Sequence, residues 1–201
     1  MFVRRLIQLF VGLWLYGASI AVMIEAGLGL EPWGVLNEGV MKQTPLSFGA
    51  VVCVIGALVL LLWIPLRQKP GIGTVANVIL IGVAVDVTSP LIPDVEGYAA
   101  RGLLLGLGVL MNGLAGGLYI GAGLGPGPRD GLMTGLTRRT GWPLRRVRTG
   151  IEIVVLASGW LLGGTVGVGT VIYALLIGPL VQVFLPRLTV REGAPALQPA
   201  E

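Results

Sequence analysis

The residues able to do chemistry are few, and their types point to binding, not to catalysis. The 201-residue chain has no His and a single Cys, Cys53, which removes most metal sites, disulfides and Cys/His nucleophile pairs together. Cys53 sits in an apolar run and reads as a small core residue. What remains are scattered polar and ionisable groups inside apolar stretches: Tyr16, Asp86, Asn112 and Glu152, with Asn77 and Tyr173 as a further pair. Arg129 and Asp130 follow directly on a Gly-Pro break. No nucleophile–base pair, metal cluster or cofactor motif is visible, so an enzyme is not expected and no cofactor is implied.

The elements that must position these groups follow from composition. Hydrophobic residues make up 54% of the chain and charged ones only 12%, against about 25% charged in a soluble domain. Runs of about 20 apolar residues are long enough to cross a hydrocarbon core. Six spans are expected, at about 6–26, 46–65, 72–91, 99–122, 144–163 and 168–186, in an all-α membrane protein. Two short segments, 31–43 and 127–140, open at Pro32 and Pro128, where Pro suits the first turn of a helix. Both are too short to cross, and are either interfacial or re-entrant.

With the N-terminus inside, 12 of the 14 Lys and Arg residues fall on the cytoplasmic side and only Lys42 and Arg101 do not. This asymmetry predicts both termini in the cytoplasm. The net charge of +4 therefore belongs to membrane loops and implies no nucleic acid. Residues 188–201 read as a flexible tail.

The chain also repeats itself. At an offset of 96, Arg5 matches Arg101, Gly12 matches Gly108, and Ala26-Gly27-Leu28-Gly29 matches Ala122-Gly123-Leu124-Gly125. Pro32 matches Pro128, and Gly71-Ile72-Gly73-Thr74 matches Gly167-Val168-Gly169-Thr170. The repeats, 1–92 and 97–187, hold three expected spans each, an odd number, so the second enters from the opposite side as in many transporters. Inversion puts Gly27 and Gly29 on one face with Gly167, Gly169 and Thr170, and Gly123 and Gly125 on the other with Gly71, Gly73 and Thr74. Each set is a candidate gate, and Pro32 and Pro128 are the associated helix breaks. The glycine loops lack the Lys-Ser/Thr of a nucleotide-binding loop.

A charge at the bilayer centre costs roughly 2.5–3.5 kcal/mol, so each needs a partner or a cavity. Glu152 has Arg148 one turn before it, whereas Asp86 has no cation nearby in sequence. Repeat logic places a binding site at the midplane interface, lined by Tyr16, Asn112, Asp86 and Glu152. Gly113, Gly117 and Gly121 form a close-packing face expected to join the two halves, or alternatively two protomers. The loop from Arg138 to Arg148 carries five arginines, suited to anionic lipid or to an acidic cytoplasmic partner.

The motifs Ala26-Gly27-Leu28-Gly29-x-x-Pro32-Trp33, Lys69-Pro70-Gly71-Ile72-Gly73-Thr74 and, most specifically, Gly127-Pro128-Arg129-Asp130-Gly131-Leu132 resemble the YczE/YyaS/YitT family of bacterial integral membrane proteins. The resemblance spans residues 5–186 and implies a bacterial cytoplasmic-membrane location, with no substrate attached. The family's first copy usually reads Pro-Trp-Asp, whereas here Gly34 takes the third place, which leaves Asp130 as that pair's only carboxylate. Together these features predict a small secondary transporter or permease, with a non-transporting anchor, regulatory partner or substrate-binding subunit as the alternative.

Overall fold

A computed structural model describes residues 2–190, so the expected tail lies, from residue 191 on, outside the described residues. The described chain forms α1 (Phe2–Ala26), α2 (Pro32–Gln43), α3 (Phe48–Leu66), α4 (Ile72–Thr88) with a 3-10 turn (Ser89–Leu91), α5 (Tyr98–Gly121), α6 (Pro128–Thr140), α7 (Leu144–Leu161) and α8 (Val168–Leu188). Local sequence explains the boundaries. Pro32 and Pro128 occupy the first turns of α2 and α6, where no N–H is needed. The Ser47 hydroxyl caps α3 by accepting from the Ala50 N–H at 3.1 Å. Gly141, in the left-handed region at φ 71°, ends α6.

Among the described residues, five helices are long and apolar enough to cross a membrane: α1, α3, α4 with its 3-10 turn, α5 and α8. The expected sixth span corresponds to α7, which carries Arg145, Arg146, Arg148 and Glu152 in its first half and so falls outside that group. Large apolar side chains cover much of the outside as well as filling the core. Leu103 (78%), Ile64 (72%) and Leu175 (68%) lie bare on the outside, while Glu31, Asn37, Asn112, Ser19, Thr74 and Thr170 are buried. So much exposed apolar surface needs a lipid surround, and the few buried polar groups need internal partners.

Packing obeys the 96-residue spacing. Helices α1 and α5 run antiparallel in close contact through glycine on each. A Cβ at Gly12 would lie 2.8 Å from the Tyr119 nitrogen, and one at Gly108 would lie 2.6 Å from Met23 Cγ. Met23 and Tyr119 are themselves 96 apart. Helix α1 then packs on α4 and α5 on α8, while α2 crosses to α7 and α6 crosses to α3. The Gly113/Gly117/Gly121 face corrects the expectation placed on it. It receives Leu180, Phe184 and the Leu188 backbone of α8, and so closes a pair of helices within the second half.

Helix α6 is seated on α3 by one contact in particular. The Trp63 Nε1–H donates to the Pro128 carbonyl at 3.0 Å, and Gly131 lies so tightly on the Trp63 ring that no Cβ fits there. Gly131→Ala should therefore destabilise the purified protein by about 1–3 kcal/mol through overpacking. Gly106→Ala, which meets nothing within 4 Å, should be neutral or slightly stabilising. Thermal unfolding in detergent checks the pair.

Candidate functional site

The two short helices meet at their N-termini. After α1 the chain doubles back through residues 27–31, and after α5 it does so through residues 122–127. Both turns depend on Gly29 (φ 106°) and Gly125 (φ 123°), conformations that side chains other than Gly rarely adopt. Each returning loop is pinned to the start of a long helix. The Gly169 N–H donates to the Leu28 carbonyl at 2.7 Å, and the Gly73 N–H donates to the Leu124 carbonyl at 2.9 Å. Thr170 and Thr74 hydroxyls accept from the Gly167 and Gly71 N–H groups, and Thr74 also donates to the Pro126 carbonyl at 2.8 Å. The glycine sets expected to face one another are thus brought together on both sides.

Where the helix starts converge, Arg129 of α6 stacks on the Trp33 ring of α2 at 4.9 Å and stands 3.9 Å from the Glu31 carboxylate. A cavity of about 80 Å³ opens beside them, with Tyr16, Trp33, Asn37, Asn77, Tyr119, Arg129 and Asp130 as its polar lining and α3 and α4 as its apolar wall. Tyr119 donates to Asp130 Oδ2 at 2.7 Å and meets Tyr16 edge-on, with centroids 5.9 Å apart. Asp130 lies in the first turn of α6, where the helix dipole favours a carboxylate.

Three buried groups at this junction lack hydrogen-bond partners: both Glu31 oxygens, the Trp33 Nε1–H and Asn37 Oδ1. Glu31 is only 2% exposed; its carboxylate lies against the first turn of α2, close to Gly34, outside hydrogen-bonding geometry. Burial raises the Glu31 carboxyl above the usual carboxylate range, opposed by Arg129 and by the α2 backbone. Unsatisfied buried polar atoms are rare in native folds and mark places where a ligand or water completes the structure.

The expected midplane residues divide. Tyr16 lines the cavity, and Asn112 forms the hub of a buried chain in which it donates to Ser19 Oγ at 2.8 Å and accepts from the Tyr173 hydroxyl at 2.9 Å. Arg129 and Asp130 line that cavity. Asp86 does not join them: it accepts from the Ser47 hydroxyl at 2.5 Å and the Gly49 N–H at 2.8 Å, tying α4 to the start of α3. Its partner is a helix N-terminus, which supplies the positive potential that no nearby cation offers. Glu152 is held by Arg148 at 2.9 Å on an exposed face. Two arginines of the basic loop are also engaged, Arg138 with Gln68 and Arg139 with the Pro65 carbonyl at the end of α3.

Glu31, Trp33, Asn37 and Tyr119 are the site residues that spacing did not single out. Glu31 has a weak sequence signal, a carboxylate at the N-cap before Pro32. Its pairing with Arg129 arises only when two segments almost 100 residues apart fold back on each other.

Comparison with known proteins places the chain. A model of a family of unknown function, DUF6198, matches residues 3–186. The chain belongs to that family. An uncharacterised protein of Haemophilus influenzae is 38% identical over 84% of this chain and 78% of its own length. The uncharacterised membrane protein YczE of Bacillus subtilis is 35% identical over 89% of this chain and 84% of its own. YyaS of the same organism is 24% identical over 88% and 90%. The resemblance read from the glycine and Pro-Arg-Asp motifs thus holds, and DUF6198 membership extends over all eight helices. No solved structure matches the chain.

The far end of α2 is anchored separately. Glu38 accepts from the Thr165 N–H at 2.7 Å and its hydroxyl at 2.8 Å, and pairs with Lys42 at 2.6 Å. Burial raises the Glu38 carboxyl, but Lys42 and Thr165 outweigh this and hold it below the ordinary range. A depressed carboxylate stabilises above its unfolded pKa, and that stability is lost as pH falls through the lower folded value. Glu38→Gln should cost about 1–3 kcal/mol at pH 7. The gap to the parent protein should shrink as pH falls below about 4, as read by thermal unfolding across pH.

Proposed function

We propose that the protein is a small permease of the bacterial cytoplasmic membrane, built as a six-span inverted duplication with both termini in the cytoplasm. In this reading α7 is the sixth span, its basic first turns lying at the cytoplasmic interface where arginine is retained. Helices α2 and α6 are re-entrant. From Tyr16 to Ala26 is about 15 Å of helix, and the five residues 27–31 reach at most about 17 Å. The returning loop thus carries Glu31 back to the level of Tyr16, with which its charge interacts. Helices α2 and α6 then run from mid-depth to opposite faces.

One observation carries the proposal: the N-termini of α2 and α6 converge on a single cavity lined by Trp33 and Asn37 of α2 and by Arg129 and Asp130 of α6. Half-helices that end at a polar midplane site, related by an inverted repeat, are the recurring means by which transporters hold a solute between two gates. The paired glycine loops, joined by backbone hydrogen bonds above and below, would be those gates. The docking alternative is weakened because Arg138, Arg139 and Arg148 are already engaged within the chain.

Purified protein in liposomes tests the proposal against a panel of labelled small organic and inorganic ions. Flux of at least one solute should exceed that of protein-free vesicles by about tenfold or more, and Arg129→Ala should remove most of it, a loss of at least about 1.4 kcal/mol in transition-state terms. Flux at the protein-free level across the panel would overturn the permease reading.

A further inference from the structure

We infer that the cavity between the starts of α2 and α6 binds a small planar monoanion on Arg129, and that Glu31 takes up a proton as the anion enters. The inference rests on the permease reading for the anion's passage, although the binding itself requires no flux.

Charge at the junction sets the sign of the ligand. Each helix N-terminus presents about half a positive charge, and Arg129 adds a full one. Against these stand Glu31 and Asp130. Asp130 is committed, since it accepts the Tyr119 hydroxyl at 2.7 Å in the first turn of its own helix. With both carboxylates ionised the junction is close to neutral; with Glu31 protonated it carries about one positive charge in excess. A cation meets Arg129 and two positive helix ends in either state. An anion is accommodated in the second.

The donors suit such a ligand. The 3.9 Å gap between Arg129 and Glu31 is longer than a hydrogen bond, so the guanidinium fork is not locked to that carboxylate. Its planar donors match a planar oxyanion bidentately. Trp33 lines the same cavity, and its Nε1–H is buried with no acceptor. The volume of about 80 Å³ holds a few water-sized groups, enough for a small planar oxyanion.

Linkage to a proton follows from which groups face Glu31. They are Arg129 from α6, with Tyr16 from α1 and Tyr173 from α8 within range of its charge, and Asp130 beside Arg129. Burial raises the Glu31 carboxyl, and Arg129 opposes that rise. An anion that occupies Arg129 cancels the opposition, so the carboxyl binds its proton more tightly in the loaded state. Affinity must then fall as pH rises, by up to about tenfold per unit, between the free and loaded values of Glu31.

Titration calorimetry on the full-length protein in detergent, with formate and nitrate as probes in two buffers of different ionisation enthalpy, tests this. Nitrate stays ionised throughout, so any proton taken up belongs to the protein. The expected result is close to one proton per anion for the parent protein. Glu31→Gln should bind with no proton uptake and a flat pH profile, and Arg129→Ala should bind at least tenfold more weakly. Binding by the parent without proton uptake, unchanged binding by Arg129→Ala, or no binding of either anion would each overturn the inference. Flux of another solute in liposomes alongside any of these would leave the permease reading standing. Proton-linked binding without flux would do the reverse.

Discussion

Two helix starts placed nose to nose inside an apolar body are the constraint on which the rest of this structure depends. Each leaves its first N–H groups without intrahelical partners and presents the positive end of a dipole. In lipid no water is available to satisfy them from outside. The fold answers with a carboxylate at each: Glu31 at the N-cap of α2 and Asp130 in the first turn of α6. Arg129 bridges the two helices by lying on Trp33 and near Glu31. Bringing the helix starts inward requires both loops to fold back on the long helices, which in turn requires backbone-to-backbone approach at Gly29 against Gly167 and at Gly125 against Gly71. These four glycines are thus a consequence of this geometry.

The 96-residue correspondence in the sequence breaks down at the residues of the junction. Positions 96 residues apart carry Trp33 and Arg129, Tyr16 and Asn112, Ser19 and Ala115. Tyr119, which holds Asp130, corresponds to Met23. The shared features are those of the backbone: glycine turns, proline starts and threonine hydroxyls. The differing ones are the polar side chains of the junction.

Much of the scaffold was legible in the sequence because its signals are local. Proline at a helix start, glycine in a turn and an apolar run each report their own position, and the glycines expected on one face, Gly29 with Gly167 and Gly125 with Gly71, do meet. Helix α7 was harder, since four charges in its first half compete with an apolar second half. The site was legible only in part. Asp86 looked isolated because its partner is the backbone of α3, which linear proximity to a cation cannot reveal. Glu31 was not singled out because a helix start is ordinarily solvated, and only the fold of residues 27–31 buries it. The Gly113 stripe announced close packing but not against which helix, because small residues specify approach and not identity.

The central claim is that α2 and α6 rise from mid-depth to opposite faces. Single cysteines introduced in a Cys53→Ser background, reacted with a bulky membrane-impermeant maleimide in right-side-out and inside-out vesicles, test it most directly. A cysteine at Gln43 should react only from the outer side and one at Thr140 only from the inner side, while cysteines at Trp33 and Pro128 should react from neither. Reaction of Gln43 and Thr140 from the same side, or ready reaction at Trp33 and Pro128, would contradict the account.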